Sequence, residues 1–510
     1  MKKFVSILMT AAALTALVSC SDKALDETNK DVNHAPVADA KFVFADVCLS
    51  SAFNVSGGDF NTYAGVAVEH WGGCHNQLFK ADQRTGEWIS SSCFNNGWVS
   101  LYKTIVDART VIAKCDENSG TVDAGNEALG ACAKVLLAYN SAVLTDLFGD
   151  TPYTQAGNYN LYPNPALDKQ EDIYKDIFKM LDEAIVVLAA GGNNGAGSYD
   201  LLYSGSCSQW LKFAYGLRAR LKMHTILRSQ DQAADYAQII SDADKSFVDA
   251  SEQAEFSQYD GDSQSNPLFA FWYSREAIAA SESIHNKYEN LGDPRDTAIF
   301  CLSWDAVHIT PSSPYFEAVP NGAGIEAQEW YTDDMYFYCM AAPTTLLSYA
   351  EVQYLKAEAL ARTGADASDA LENALYATFD NVNANAGYAS WWDFDGEGVS
   401  DDDIDTYVAA RLAVPAADQL KEVMVQKYLY FHNANGGSVE AYNDIRRLMA
   451  EGGAAAAYIT LENPKNATTG FPLRFGYGSS DTTTNPNIKA AFGDGSYVFT
   501  ENVWWAGGTR

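Results

Sequence analysis

Aromatic residues outside any regular apolar pattern give this sequence its clearest potential for chemistry. The chain contains 11 Trp and 29 Tyr residues, and many of them lie in stretches rich in Gly, Asn and Ser. A flat ring can stack on the C–H face of a sugar, while neighbouring amides and carboxylates hydrogen-bond its hydroxyl groups. The candidates on irregular segments are Trp71, Trp88, Trp304, Tyr315, Trp330, Tyr331, Trp391 and Trp392. Because tryptophan is highly buried on average, packing in the core is the competing interpretation for each.

Other reactive patterns in the sequence are weaker. His70, Cys74 and His75 could share one helix face, but three ligands fall short of a structural zinc site, and we predict no metal. Asp393 opens an acidic segment that lacks EF-hand spacing, and acids at a helix N-terminus account for that segment better. A glycoside hydrolase needs two suitably placed carboxylates, and 66 acidic residues always offer some pair. We predict that the protein is not an enzyme and uses no cofactor. Glycoside hydrolysis stays a remote alternative.

The first residues have the pattern of a bacterial lipoprotein signal. A short lysine-containing start precedes an apolar run, Phe4–Val18. The run has signal-peptide length and is shorter than the roughly 20 residues that a membrane span needs. A Leu-Val-Ser-Cys lipobox ends at Cys20, whose thiol would take a diacylglycerol. We predict a signal peptide over 1–19 and lipidation of Cys20, with an ordinary secretory signal as the alternative.

Charge and composition define the rest of the layout. Residues 20–38 are polar and acidic, so they cannot bury enough apolar surface to fold, and we predict a flexible tether. The remaining 39–510 are predicted to form one ligand-binding domain. A net charge of −32 repels nucleic acid and anionic headgroups, so nucleic acid is excluded as a partner. The cysteines after Cys20 lack the spacing of a small disulfide scaffold, and we expect small buried thiols.

Helix-forming patterns dominate the domain. Trp98, Leu101, Tyr102 and Ile105 are spaced i, i+3, i+4 and i+7, and residues 210–217 repeat that spacing. Both segments resemble the first helix of a tetratricopeptide unit. The predicted second helices and further helices cover 127–148, 170–188, 232–243, 349–362, 367–379, 416–431 and 438–449.

The segments between these helices show no period. They cover 150–169, 251–343, 380–415 and 451–510, and they are rich in Gly, Asn, Ser and aromatic residues. Loops of that length are usually functional or contain small elements of their own. The predicted fold is therefore all-α, an α-solenoid scaffold of stacked tetratricopeptide-like helix pairs covered by long irregular aromatic loops.

Short motifs in a fixed order give the chain a family resemblance. They lie in Asp146–Tyr153, Asp200–Leu221, Asp293–Arg295, Pro320–Gly322, Tyr349–Ala359, Gln426–Lys427, Glu440–Arg447, Pro472–Tyr477, Asn485–Asn487 and Val503–Trp505. Following a lipobox, they resemble the SusD-like (SusD/RagB) family of outer-membrane nutrient-binding lipoproteins, from about residue 40 to the end. Tyr215 and Gly216 stand where the family usually has Asn-Ser, and Tyr442 stands where it has Trp. These differences suggest a divergent branch.

The resemblance implies a function. Such a protein would be lipid-anchored on the outer face of the outer membrane, capture an oligosaccharide, and deliver it to a SusC-like TonB-dependent transporter. Peptide capture is the alternative within the family. The family's glycan contacts come from aromatic loops early in the chain and after the Asp-Pro-Arg motif. We therefore predict ligand contacts at Trp71, Trp88, Trp304, Trp330 and Tyr331.

The charged residues of the helix motifs are predicted to be structural. Buried charges are tolerated when they are paired, so we expect partly buried ion pairs that join helices. The residues concerned are Arg218, Arg220, Arg446, Arg447, Glu351, Glu358 and Glu440. On this interpretation the ligand site lies in the loops.

Overall fold

The fold is built mainly from helices, as the spacing of the apolar residues predicts. The structure is a computed structural model that describes residues 38–509, so the predicted signal peptide and Cys20 lie outside the described residues. The helices are α1 (Ala40–Ser50), α2 (Asp59–Ala67), α3 (Asn76–Asp82), α4 (Asn95–Cys115), α5 (Glu127–Phe148), α6 (Gln170–Leu188), α7 (Cys207–His224), α8 (Gln232–Ala243), α9 (Pro267–Arg275), α10 (Glu282–Leu291), α11 (Tyr349–Arg362), α12 (Ser368–Ala389), α13 (Asp401–Leu412), α14 (Gln419–Tyr430), α15 (Ser438–Glu451), α16 (Lys465–Thr468), α17 (Ser479–Thr484) and α18 (Pro486–Phe492).

The predicted helix pairs are confirmed. Helix α4 packs against α5, α7 against α8, and α11 against α12, and α6 packs against both α5 and α7 to extend the stack. The spaced residues Trp98, Leu101 and Ile105 are buried on one face of α4. Helix α5 is long and apolar enough to cross a membrane, but most of its residues are buried within the protein, as in a core helix. The scaffold is thus a tetratricopeptide-like stack.

Short antiparallel strand pairs tie distant loops to the scaffold. Strand β1 (Trp71–Gly73) pairs with β3 (Ile278–Ala280), so that Trp71 lies opposite Ala280. The other pairs are β2 (Ala254–Phe256) with β6 (Thr344–Leu347), and β4 (Phe300–Cys301) with β5 (Asp333–Asp334). The first pair brings the early loops beside the middle of the chain.

Several segments differ from the sequence prediction, and α13 and α16–α18 are among the helices in stretches that showed no period. Helix α12 continues about ten residues past the predicted end at 379, because Val382, Ala386 and Ala389 keep a buried face among asparagines. Helices α9 and α10 lie in a segment that showed no period. Asn266 caps α9 by accepting a hydrogen bond from the Leu268 N–H at 2.9 Å, and Pro267 starts the first turn.

Six of the seven charged residues predicted to form ion pairs do so, and the pairs join helices. The exception is Arg446, which donates to the carbonyls of Asp146 and Leu473 and to the side chain of Asn443. Arg220 on α7 donates to Glu351 on α11 at 2.6 Å, and Arg447 on α15 donates to Glu358 on α11 at 2.6 Å. All four side chains are buried. Ser348 caps α11 through the Glu351 N–H at 3.0 Å. The eight cysteines between 38 and 509 are free thiols, seven of them buried.

A buried histidine gives the fold a pH dependence. The ring of His224 bonds Asp146 at 3.0 Å and Glu440 at 2.9 Å. Burial alone would lower the pKa of His224, but the two carboxylates outweigh it and raise the pKa to about 9. An unfolded histidine titrates near 6.5, so the folded state retains a proton that the unfolded state releases. The resulting stabilisation is fully present below pH 6.5 and is lost as the pH rises towards 9.

We expect the free energy of unfolding to fall by about 1 kcal/mol between pH 7 and pH 8 because of His224. The release of one proton on unfolding sets the upper limit of this change. Urea titrations at closely spaced pH values measure the slope. His224→Gln should flatten the slope while also lowering stability overall, because Asp146 and Glu440 lose their cation. If the stability of His224→Gln changes with pH as steeply as that of the wild type, His224 is not the source of the pH dependence.

Candidate functional site

Two of the five predicted ligand contacts are core residues. Trp71 and Trp88 have no exposed surface. The Trp88 indole donates to the Ala81 carbonyl at 2.9 Å, and its ring packs on Phe94 and Phe475. A ring without an exposed face cannot stack on a ligand, so both assignments are corrected. The sequence could not separate them from loop tryptophans because strand β1 and its neighbours are too short to show a period.

Tyr331 is also enclosed and has a structural contact. Its hydroxyl accepts a hydrogen bond from the Ile325 N–H at 3.0 Å and donates to the Ile325 carbonyl at 3.1 Å. It therefore closes the loop that precedes it. Of the five predicted residues, Trp304 is half-buried and Trp330 is 64% exposed. Only these two present an accessible ring, and their role as ligand contacts stays a prediction.

Three rings form a surface that we call the aromatic face, defined by Tyr273, Trp304 and Trp392. The ring centroid of Tyr273 lies 5.8 Å from that of Trp304 and 5.5 Å from that of Trp392. Tyr273 is half exposed, while Trp304 is supported from below by the buried Trp272 at 5.4 Å. Rings fixed in this way need no further ordering before they stack on a ligand, which favours binding.

The loop that carries Trp330 is held beside the aromatic face. The Gln328 side chain donates to the Arg275 carbonyl at the end of α9, at 3.3 Å. Burial raises the pKa of Glu276, and the charge of Glu329 raises it further, whereas the Trp304 indole lowers it. These interactions place the 328–330 loop, the end of α9 and Trp304 in one neighbourhood.

The backbone is strained in that neighbourhood. Glu276, Trp304 and Glu329 have φ values of 45°, 63° and 54°, in the left-handed region that non-glycine residues rarely adopt. Each such residue costs on the order of 1–3 kcal/mol and persists where the surroundings impose it, frequently at ligand sites. Three of them around one group of aromatic rings make this surface a candidate ligand site.

A polar cleft of about 600 Å³ lies on the other side of α9. Phe271 and Arg275 from α9 form one wall, and Asp59 and Tyr63 from α2 form part of the opposite wall. Residues four apart, such as Phe269 and Tyr273, follow one helix face, and Phe271 and Arg275 follow another. Helix α9 therefore separates the cleft from the aromatic face.

The cleft offers both donors and acceptors. The Tyr63 hydroxyl donates to Glu87 at 3.2 Å. Burial raises the pKa of Asp59, and the positive charge of Arg275 partly opposes that rise. Carboxylates, a guanidinium and a phenol can hydrogen-bond a ligand with many hydroxyl groups. The volume is in the range of 300–1,000 Å³ typical of ligand sites.

The histidines and the cysteine that could imitate a zinc site point to different partners. His70 is buried, and its ring nitrogens bond Ser438 at 2.9 Å and the Tyr428 carbonyl at 3.0 Å. The Cys74 thiol donates to the Glu276 carbonyl at 3.5 Å. Between residues 38 and 509, no group of three or more His, Cys, Asp or Glu side chains is arranged to hold a metal ion.

Sequence reasoning missed the residues of α9. Tyr273 and Arg275 fall in 251–343, which was predicted to be irregular. The signal that could have found them is the Asn266-Pro267 cap followed by the run Leu268–Tyr273. Asp59 had no such signal, because one acid among 66 is not distinctive.

Similarity to known proteins extends over most of the chain. The SusD-like family model described as "Starch-binding associating with outer membrane" matches residues 77–451. The crystal structure of a SusD/RagB family protein from Bacteroides thetaiotaomicron is similar over 93% of this chain and 100% of that chain, with 39% identity and a TM-score of 0.87. A chitin-binding protein has 22% identity and a TM-score of 0.68, over 91% of this chain and 99% of its own.

A more distant likeness extends the comparison of the fold. A SusD homolog from Bacteroides fragilis has 17% identity and a TM-score of 0.70, over 92% of this chain and 100% of its own. At such identities, likeness to this homolog and to the chitin-binding protein concerns the fold alone. No curated protein matches this chain at a significant level.

Proposed function

This chain belongs to the SusD-like family, and from that premise we propose that it captures an oligosaccharide nutrient outside the cell. The captured ligand is passed to a SusC-like TonB-dependent transporter in the outer membrane. The observation that carries the proposal is the aromatic face, with Trp330 beside it and the polar cleft behind α9. The family model that matches residues 77–451 is described as starch-binding, which supports a glycan as the ligand class.

A neutral oligosaccharide fits the surface best. The chain has a net charge of −32, and Asp59 and Glu87 line the cleft, so sulfated or uronic glycans would meet electrostatic repulsion. Exposed rings provide stacking without requiring charge on the ligand. Peptide capture is the alternative, and a hydrolase that uses the two cleft carboxylates is the remote one.

A binding screen tests the proposal. The purified soluble domain is applied to arrays of neutral, uronic and sulfated oligosaccharides and of peptides, and each bound glycan is then incubated with the protein. We expect binding to neutral oligosaccharides and no release of new reducing ends. Binding to peptides alone would establish the alternative, and new reducing ends that disappear with Asp59→Asn would establish a hydrolase.

The anchor and the transporter are tested together in cells. Tagged wild-type protein should fractionate with the outer membrane, be cleaved by added protease on intact cells, and copurify with a large β-barrel protein after mild detergent extraction. In cells that lack the transporter, Cys20→Ala should leave the membrane fraction, because the lipid is then its only proposed attachment.

Ser21→Ala is the matched control, since it changes the adjacent residue and leaves the thiol in place. It should behave like the wild type in all three assays. Retention of Cys20→Ala in the membrane at high salt and in the absence of the barrel would contradict the anchor. Wild-type protein that is recovered alone under gentle conditions would contradict the transporter partnership.

A further inference from the structure

A second cavity, of about 240 Å³, shares no lining residue with the cleft or the aromatic face. It lies between the β2–β6 strand pair and the C-terminal half of α12. The side chains that define its chemistry are Glu255, Asp380, Asn381, Asn385, Tyr388 and Asn435. Its volume suits a molecule smaller than a typical drug-sized ligand.

The asparagines on its wall are held in one orientation by their own hydrogen bonds. Asn385 donates its amide to Asn381 at 3.1 Å and to Asn435 at 3.2 Å. Asn381 in turn donates to Asn435 at 2.8 Å, and Asn435 donates to the Pro343 carbonyl at 2.8 Å. The amide donors of these three asparagines are therefore engaged with one another or with the backbone.

This arrangement leaves one acceptor without a partner. The Oδ1 atom of Asn385 is buried and accepts no hydrogen bond from any of the residues 38–509, and the residue is only 1% exposed. The atom has almost no accessible surface, so it acts on a ligand in the cavity only through its uncompensated partial negative charge.

Glu255 supplies a negative charge to the same cavity. It accepts a hydrogen bond from Gln253 at 2.6 Å, and within the described part of the chain no lysine or arginine lines the cavity. Burial raises the pKa of Glu255, and the bond from Gln253 lowers it in part. Tyr388 lines the same cavity, and burial and the charge of Glu255 raise the pKa of its hydroxyl. The described residues of the wall thus include a carboxylate and an aromatic ring but no lysine or arginine.

We propose that this cavity binds a small organic cation, a primary ammonium compound, through Glu255 and the ring of Tyr388. The ammonium group is positively charged and has three donors, which complements the Glu255 carboxylate on a wall whose described residues include no lysine or arginine. The tyrosine ring adds a cation–π attraction.

A bare calcium ion fits the cavity less well. Calcium takes six to eight oxygen ligands, which usually include converging carboxylates. The other carboxyl on the wall is Asp380, which lies exposed at the rim. Burial and the charge of Asp401 raise the pKa of Asp380. Two carboxylates are too few for such a site, and between residues 38 and 509 no three His, Cys, Asp or Glu side chains are grouped to hold a metal ion.

Probes of equal size and different charge test the proposal. Ethanolamine, ethylene glycol and glycolate are titrated into the full mature chain at pH 7 and low salt, with ligand-observed NMR as the readout. Ethanolamine should bind at least tenfold more tightly than ethylene glycol, and glycolate should not bind. Glu255→Gln should weaken ethanolamine binding at least tenfold, because the amide keeps the shape and removes the charge.

A second variant blocks the cavity without altering its charges. Ala384 lies at the exposed rim on α12, so Ala384→Trp should close the entrance and reduce ethanolamine binding at least tenfold. Glu372→Trp is the control, because Glu372 is exposed on the same helix and does not line the cavity. Equal affinity for ethanolamine and ethylene glycol would overturn the proposal. Wild-type affinity in Glu255→Gln or Ala384→Trp would also overturn it.

Discussion

Replacing Glu358 by glutamine should destabilise the fold by about 3–5 kcal/mol, the usual cost of breaking a buried ion pair. Glu358 on α11 is fully buried and accepts hydrogen bonds from Arg447 at 2.6 Å and from Arg362 at 2.8 Å, with Lys427 at 3.7 Å. These cations belong to α15, α11 and α14. One carboxylate therefore links three helices, and its loss leaves buried positive charge undercompensated.

The pH dependence of the effect identifies its cause. Burial opposes ionisation of Glu358, but Arg447, Arg362 and Lys427 outweigh burial and lower its pKa from the usual 4.5. A carboxylate with a depressed pKa stabilises the fold fully above 4.5 and loses that contribution as the pH falls. The difference between wild type and Glu358→Gln in urea denaturation should therefore shrink in acid.

Glu183→Gln is the matched control for the buried substitution. Glu183 pairs with Lys134 at 2.6 Å, but its side chain is 43% exposed. Solvent screens such a pair, so the same chemical change should cost no more than about 1 kcal/mol. If the two variants lower the free energy of unfolding by the same amount at neutral pH, the buried cluster does not hold the helices together.

The sequence predicted the scaffold more fully than the site, for a physical reason. A helix that buries one face repeats its apolar residues every three or four positions. The spacing of the apolar residues from Trp98 to Ile105 is therefore enough to predict α4. The exposure of a single loop residue depends on what packs over it. Trp88 and Trp330 occupy similar sequence contexts, yet the first is buried by Phe94 and Phe475 and the second is exposed.

The strained residues show the same limit. Nothing in the types of Glu276, Trp304 and Glu329 predicts a positive φ, because that conformation favours Gly, Asn and Asp. Tertiary contacts impose the positive φ here, including the hydrogen bond from the backbone N–H of Trp304 to the Tyr338 hydroxyl at 3.0 Å. A surface that is arranged by long-range contacts becomes visible only once the chain is folded.

Loss of the exposed rings should abolish most of the affinity for a neutral oligosaccharide. Tyr273 is 50% exposed on the aromatic face, and Trp330 is 64% exposed on the loop beside it. If each stacked ring contributes about 1 kcal/mol, Tyr273→Ala combined with Trp330→Ala should weaken binding about thirtyfold. Isothermal calorimetry on a glycan chosen by the screen gives the dissociation constants.

The salt dependence of binding distinguishes stacking from ionic binding. A variant at a distant aromatic residue shows whether the removal of any exposed ring weakens binding. Binding of a neutral ligand by stacking should change little between low and high salt, whereas an ion-dependent contact would weaken steeply. Tyr159→Ala removes a ring that is 76% exposed on the loop between α5 and α6, and it should bind like the wild type. Because Trp330 is mostly exposed and Tyr273 is half exposed, their removal should lower the unfolding temperature only slightly. Wild-type affinity in the double variant, or an equal loss in Tyr159→Ala, would show that the aromatic face does not hold the glycan.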